Sequence, residues 1–197
     1  MEKSLCYCKF GYKMIIERFK SLNIKNLRGV RMAIKCYSKG AAGEVTGSKH
    51  FFEVDDRTYM VDCGAFQGKR KESDEKNRNF DVNVDELESV ILTHGHLDHC
   101  GLLPLLTKRG YTGNIFATPA TRDIANLVMM DSARIQAHDA EFLAKQAAKK
   151  GEKFTWKPLY AEEDCIAAAN QIVSLSYNRP MYIGPNVQLE FFDAGHN

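Results

Sequence analysis

Three histidines and an aspartate fall within six positions of the run Thr93-His94-Gly95-His96-Leu97-Asp98-His99-Cys100-Gly101. The chain has only six histidines in 197 residues, so this clustering is not a matter of composition. Imidazole and carboxylate are ligands for zinc, iron and manganese, and a cluster this dense can serve two ions. The donors stand at i, i+2, i+4 and i+5. That spacing does not fit one helix face, as the ligands of a His-Glu-x-x-His motif do. It fits a loop leaving a strand, and Val90-Ile91-Leu92 supplies the strand while Gly95 lets the loop fold tightly. His94 and His96 are assigned to one metal, Asp98 and His99 to a second on the opposite wall. Two ions roughly 3.5–4 Å apart can hold a bridging hydroxide and polarise a phosphoryl or carbonyl group. The competing reading is a single closed structural zinc, but such sites favour cysteine and rarely use an aspartate.

That loop needs a rigid base. Tyr59-Met60-Val61 reads as a strand, and Asp62 follows at its tip before Cys63-Gly64. A carboxylate there can accept the outward N–H of a ligand histidine and fix its orientation; standing alone it would be an ordinary turn aspartate. From Met32 the pattern is β-rich first and mixed later. Strands are expected at 33–38, 49–54, 58–62 and 89–93, with Asp55-Asp56-Arg57 as a hairpin turn. Residues 68–86 are polar without an apolar period, which predicts a long loop. Leu102 to Leu106 starts a short helix, and 114–117 is a strand. Thr118-Pro119 or Thr121 then opens a helix through Ile124, Leu127, Val128 and Ile135 that continues as a Lys- and Ala-rich stretch over 138–149. Residues 151–158 read as a linker, 162–173 as a helix, and 181–183 and 187–192 as strands around Gly184-Pro185-Asn186. Strands alternating with helices imply an α/β fold, a mixed sheet covered by helices.

In these stretches the chain resembles the metallo-β-lactamase superfamily, whose signature is His-x-His-x-Asp-His, and more narrowly its β-CASP RNA-processing nucleases. The resemblance is carried by Gly43-Glu44-Val45-Thr46-Gly47-Ser48, by Val61-Asp62-Cys63-Gly64-Ala65-Phe66-Gln67-Gly68, by Leu92 to Leu105, by Tyr111 to Thr121, and by Leu159-Tyr160 with Glu163-Asp164. It spans about residues 33–196. It implies an αββα sandwich and a phosphodiester hydrolase acting on single-stranded RNA through a metal-bridging hydroxide. The implied cofactor is zinc, two ions in the complete family site, with manganese as a substitute. It also implies that Asp62 organises the site, that Asp98 is both ligand and catalytic carboxylate, and that His196 joins His94 and His96 at the first metal. His50 and His138 match no ligand position and read as ordinary surface or packing residues.

The family's third motif runs on beyond Gly-His, whereas here Asn197 follows His196. The expectation is therefore the N-terminal portion of the domain, truncated before its second half. The bridging aspartate and last histidine would be missing, activity alone would be impaired, and an uncovered sheet face would favour self-association or a complementing chain. Two alternatives stay open: a hydrolase of a small ester or thioester, and an inactive metal-binding remnant or interaction module.

Charge separates the leader from the rest. Residues 1–31 carry eight Lys/Arg against two acids; with +2 overall, the leader is +6 and residues 32–197 are −4. A basic arm of this kind can touch nucleic acid or an anionic membrane, although a solvated tail is the preferred reading. The leader is read as an extension outside the fold, with Met32 as a second candidate start. No apolar run approaches the roughly 20 residues that span a bilayer. The six cysteines show no disulfide framework, which fits reduced thiols and a cytoplasmic setting.

Overall fold

A computed structural model describes residues 34–196 and, within the leader, two short strands, β1 (Leu5–Tyr7) and β2 (Lys13–Ile15), paired antiparallel with Leu5 opposite Ile15. The rest of the leader, where the expectation of an unfolded extension falls, lies outside the described residues.

The sheet begins as a hairpin. β4 (Lys49–Val54) and β5 (Arg57–Val61) pair around Asp55 and Asp56, which both take left-handed backbone. β4 places Phe51 on one face of the sheet and Phe52 and Val54 on the other, each face packing into its own apolar cluster. β3 (Ile34–Gly40) forms the outer antiparallel edge. On the other side β6 (Leu87–Ile91), β7 (Asn114–Ala117) and β8 (Ile172–Ser174) add in parallel, giving the order β3-β4-β5-β6-β7-β8. The parallel part requires helical crossovers. α3 (Leu103–Lys108), α4 (Pro119–Lys150) and α5 (Glu162–Asn170) supply them and cover the face holding Met60, Val90 and Ile115. The other face carries Phe52, Tyr59, Ile91 and Phe116 against Val187 and Leu189 of the small ribbon β9 (Met181–Gly184) and β10 (Val187–Leu189), and against Phe191 just after it.

α4 starts where Thr118 accepts a hydrogen bond from the Thr121 N–H at 3.2 Å, with Pro119 in the first turn. It buries Thr121, Ala125, Met129 and Ala133, a stripe four residues apart, and ends at Gly151 in left-handed backbone.

Three expectations are corrected. The loop expected over 68–86 contains α1 (Arg70–Arg78), a helix of polar residues only. Its turns are tied by Arg78 to Asp74 at 2.8 Å and Lys76 to Glu72 at 3.5 Å, while Asn77 clamps the backbone N–H and C=O of Phe66 at 2.8 and 3.0 Å. The helix expected over 162–173 stops at Asn170, because Ile172 to Ser174 pair in parallel with β7. The strand expected over 89–93 begins and ends two residues earlier, freeing Leu92 and Thr93 to leave the sheet.

Candidate metal centre

The centre lies at the carboxyl ends of β5 and β6, neighbouring parallel strands, where open α/β sheets collect their ligand-binding loops. β5 delivers Asp62 and β6 delivers Thr93 and His94; the Asp62 N–H donates to Ile91 O at 2.9 Å and locks the two exits together. The motif is not all loop. His96 caps a one-turn helix, α2 (Leu97–Cys100), that carries Asp98 and His99.

Glycines allow the surrounding backbones to close in. A methyl on Gly64 would lie 1.6 Å from the carbonyl oxygen of Asp98, and one on Gly95 would lie 2.5 Å from Ile124 of α4. The segment 62–65 therefore runs directly against the motif. Cys63 N–H donates to His99 O at 2.8 Å, Ala65 N–H to Leu97 O at 3.0 Å, and Ser48 N–H to Asp98 O at 2.9 Å.

Asp62 is buried, with left-handed backbone (φ 63), a conformation that a non-glycine residue holds only where its surroundings dictate it. Four donors converge on its carboxylate. Oδ1 accepts from Thr93 N–H at 2.9 Å and Thr93 Oγ1 at 2.8 Å; Oδ2 accepts from Ser48 Oγ at 3.1 Å and His99 Nδ1 at 2.7 Å. Because the Thr93 hydroxyl gives its proton to Asp62, it accepts from His94 Nδ1 at 3.0 Å. One carboxylate thus sets the tautomers of two histidines, directly at His99 and through Thr93 at His94, and turns Nε2 of each toward the site.

The structure brings His94, His96 and His196 together, with one ring nitrogen from each lying within 4.8 Å of the others. Donors at about 2.1 Å from a shared ion stand at most about 4.2 Å apart, so a small ring rotation closes the set on a metal. His99 packs on His94 with ring centres 3.9 Å apart, and its Nε2 lies 3.6 Å from Asp98 Oδ2, a second donor pair beside the first. Burial, then the charge of His99, pushes His94 down to about 4, so its ring is neutral at physiological pH. Burial also pulls His99 down, but its hydrogen bond to Asp62 and the charges of Asp62 and Asp98 outweigh that and leave it raised.

His138 stands exposed on α4, away from the cluster. His50 has more company than the sequence suggested: half-buried, bonded to Ser38 Oγ at 2.7 Å, and within electrostatic reach of Asp62 and His99. Ser48 is the contributor that sequence reasoning missed. The hairpin turn at 55–56 pairs His50 with Val61, which sets Ser48 beside the tip residue Asp62, so the register held that signal.

An Asp62→Asn substitution leaves donors facing an amide N–H. Zinc affinity measured by calorimetric titration is expected to fall about 10- to 100-fold. Thermal unfolding is expected to show a loss of about 1–3 kcal/mol.

The profile of the Metallo-beta-lactamase superfamily matches residues 43–152, more than half of the chain. Ribonuclease TTHA0252 of Thermus thermophilus is 34% identical over 157 residues, covering 80% of this chain and 31% of its own length. Transcription termination factor FttA of Cenarchaeum symbiosum is 31% identical over 168 residues, covering 84% of this chain and 24% of its own. The chain thus spans about a quarter to a third of the curated relatives it matches. The crystal structure of the metallo-beta-lactamase fold protein YhfI from Bacillus subtilis aligns at TM-score 0.37 and 20% identity, over 78% of this chain and 48% of that one, too loosely to bear on side-chain positions. On the family match, and with the histidine cluster at the strand tips it spans, the chain belongs to the metallo-β-lactamase superfamily.

Proposed function

We propose that this chain forms the metal-binding part of an RNA-processing nuclease that hydrolyses phosphodiester bonds of single-stranded RNA with two divalent ions, zinc first and manganese as a substitute. The observation that carries the proposal is the donor geometry: three imidazole nitrogens within 4.8 Å of one another beside an Asp98–His99 pair at 3.6 Å. The substrate class is supported by the likeness to a ribonuclease and to transcription termination factors. Bound ions would supply Lewis acidity and bring the pKa of water toward about 7.

The chain's own residues do the rest. His94, His96 and His196 would hold the first ion, and Asp98 with His99 would hold the second. Asp98 would take up a proton from the attacking water at its carboxylate. Asp62 is a positioning residue; with Thr93 and Ser48 it keeps the ligand histidines turned inward. Residues 32–197 are assigned to the N-terminal portion of the domain and 1–31 to a basic extension. The buried thiols of Cys63, Cys100 and Cys165, none in a disulfide, fit a cytoplasmic setting. Among the described residues no helix is long and apolar enough to cross a membrane.

The test is single-turnover cleavage of end-labelled single-stranded RNA, with protein in excess and zinc or manganese added. Shortening that requires metal and is lost in the His94→Ala/Asp98→Ala variant is the expected result. Hydrolysis of a thioester without cleavage of RNA would move the site to the small-molecule hydrolases. No metal uptake at all would make it a non-catalytic remnant.

A further inference from the structure

Charge on this molecule is segregated. Residues 32–197 are net −4, yet between Lys145 and Lys157 five lysines stand against one glutamate, Glu152. All five (Lys145, Lys149, Lys150, Lys153 and Lys157) are exposed, and among the described residues none is within ion-pair distance of a carboxylate. Many cations elsewhere on the surface are paired: Lys35, Lys39, Lys76, Arg70 and Arg134 each face an acid, while Lys69, Lys71 and Arg179 stand singly or as one neighbouring pair rather than in a cluster of five. Lysines in the last turn do complement the helix dipole, but that accounts for about half a charge, not for four.

Two of these lysines line a recess. The linker after α4 folds back along the helix and leaves a cavity of about 300 Å³ whose lining includes Ala147, Lys150, Lys153, Phe154 and Trp156, with Glu152 as its single carboxylate. Trp156 is committed to the fold: its Nε1 donates to Asp74 at 3.1 Å, and the Arg78 guanidinium sits 5.3 Å from its ring centre while donating to Lys157 O at 2.6 Å. Those bonds fix the linker to α1. Phe154, half-buried, is left as an aromatic wall between Lys150 and Lys153. A cavity at the low end of ligand-pocket size, with one aromatic wall and unpaired lysines at its rim, suits a stacked base with phosphates on either side. The lysines around Phe66 make a weaker case, since Lys39 and Lys76 there are already neutralised by Asp81 and Glu44.

We infer that this recess is an auxiliary single-stranded RNA site, with a base stacking on Phe154 and phosphates contacting Lys150 and Lys153. The inference rests on RNA as the substrate class. Ile124, against the metal motif, and Lys150 lie 26 residues apart on one helix, about 39 Å. A strand held at both places would be anchored away from the cleavage point, which raises affinity for long substrates without touching the reacting atoms.

The experiment is fluorescence anisotropy in EDTA with labelled oligouridine of about 20 nucleotides, long enough at roughly 3.4 Å per stacked nucleotide to outspan that distance. Lys150→Gln/Lys153→Gln is expected to lower the slope of log K against log salt by about 1.4, two phosphates at about 0.7 each. Phe154→Ala is expected to weaken binding about 5- to 100-fold, the value of one stacked base, and Phe154→Tyr to restore it. Unchanged affinity and slope in both variants, or no RNA binding by the wild type, overturns the inference. So does tighter binding of polyglutamate or phosphatidylserine vesicles, lost in the same variants. Metal-dependent cleavage of a short oligonucleotide is measured in parallel; if it persists while the RNA-binding effects fail, the nuclease proposal stands and only the auxiliary site is lost.

Discussion

Gly64→Ala is expected to destabilise the chain by about 3 kcal/mol and to weaken metal binding at the same time. The added methyl would sit 1.6 Å from the Asp98 carbonyl oxygen, 2.2 Å from its carbon and 2.8 Å from the His99 nitrogen, all backbone atoms of the metal motif. No rotamer change relieves such a collision; the segment 62–65 and α2 must move apart. That movement breaks the bonds from Cys63 to His99, Ala65 to Leu97 and Ser48 to Asp98, and carries Asp98 and His99 away from Asp62. Gly43→Ala is the comparison. Gly43, unlike Gly64, has positive φ, and no atom lies within 4 Å of its added methyl, so the expected cost is about 1–2 kcal/mol of backbone strain alone, with unchanged metal affinity. Denaturant unfolding and zinc titration of both variants separate a general glycine effect from a contact with the motif.

The second large effect is at the histidines. His96→Ala and His196→Ala are each expected to lower the affinity for the first ion by more than about 100-fold, since losing a partner behind a ligand already costs about 10- to 100-fold. Either removes one of the three nitrogens that converge within 4.8 Å, and neither removes core packing, because both side chains are exposed. Thermal stability without metal should stay within about 0.5 kcal/mol of wild type. His138→Ala, exposed on α4, should change neither quantity. An equal loss of affinity in His138→Ala would mean that metal is taken up nonspecifically by surface imidazole.

The sequence was most informative where chemistry and spacing coincide. The density of His94, His96, Asp98 and His99 after an apolar strand pointed to the candidate centre, and the hairpin turn at Asp55-Asp56 fixed the register of β4 and β5. It was least informative where a partner far along the chain decides the outcome. Nothing local marks α1 as a helix, since it buries almost nothing and is held by ion pairs and by Asn77 against Phe66. Ile172 and Val173 continue a helical spacing, yet β7 draws them into the sheet because Phe116 and Ile115 offer an open parallel edge. The relay from Asp62 through Thr93 to His94 joins two strand tips 31 residues apart, and hydrogen-bond direction exposes it where residue type does not.

The central claim is that histidine nitrogens of this chain, not its cysteines, hold a divalent ion at the tips of β5 and β6. X-ray absorption at the metal edge, on protein loaded with one equivalent of zinc, tests it most directly. Three imidazole nitrogens at about 2.0–2.1 Å, reduced to two in His196→Ala, is the expected result. A sulfur shell at about 2.3 Å, or an imidazole count that His196→Ala leaves unchanged, would contradict it.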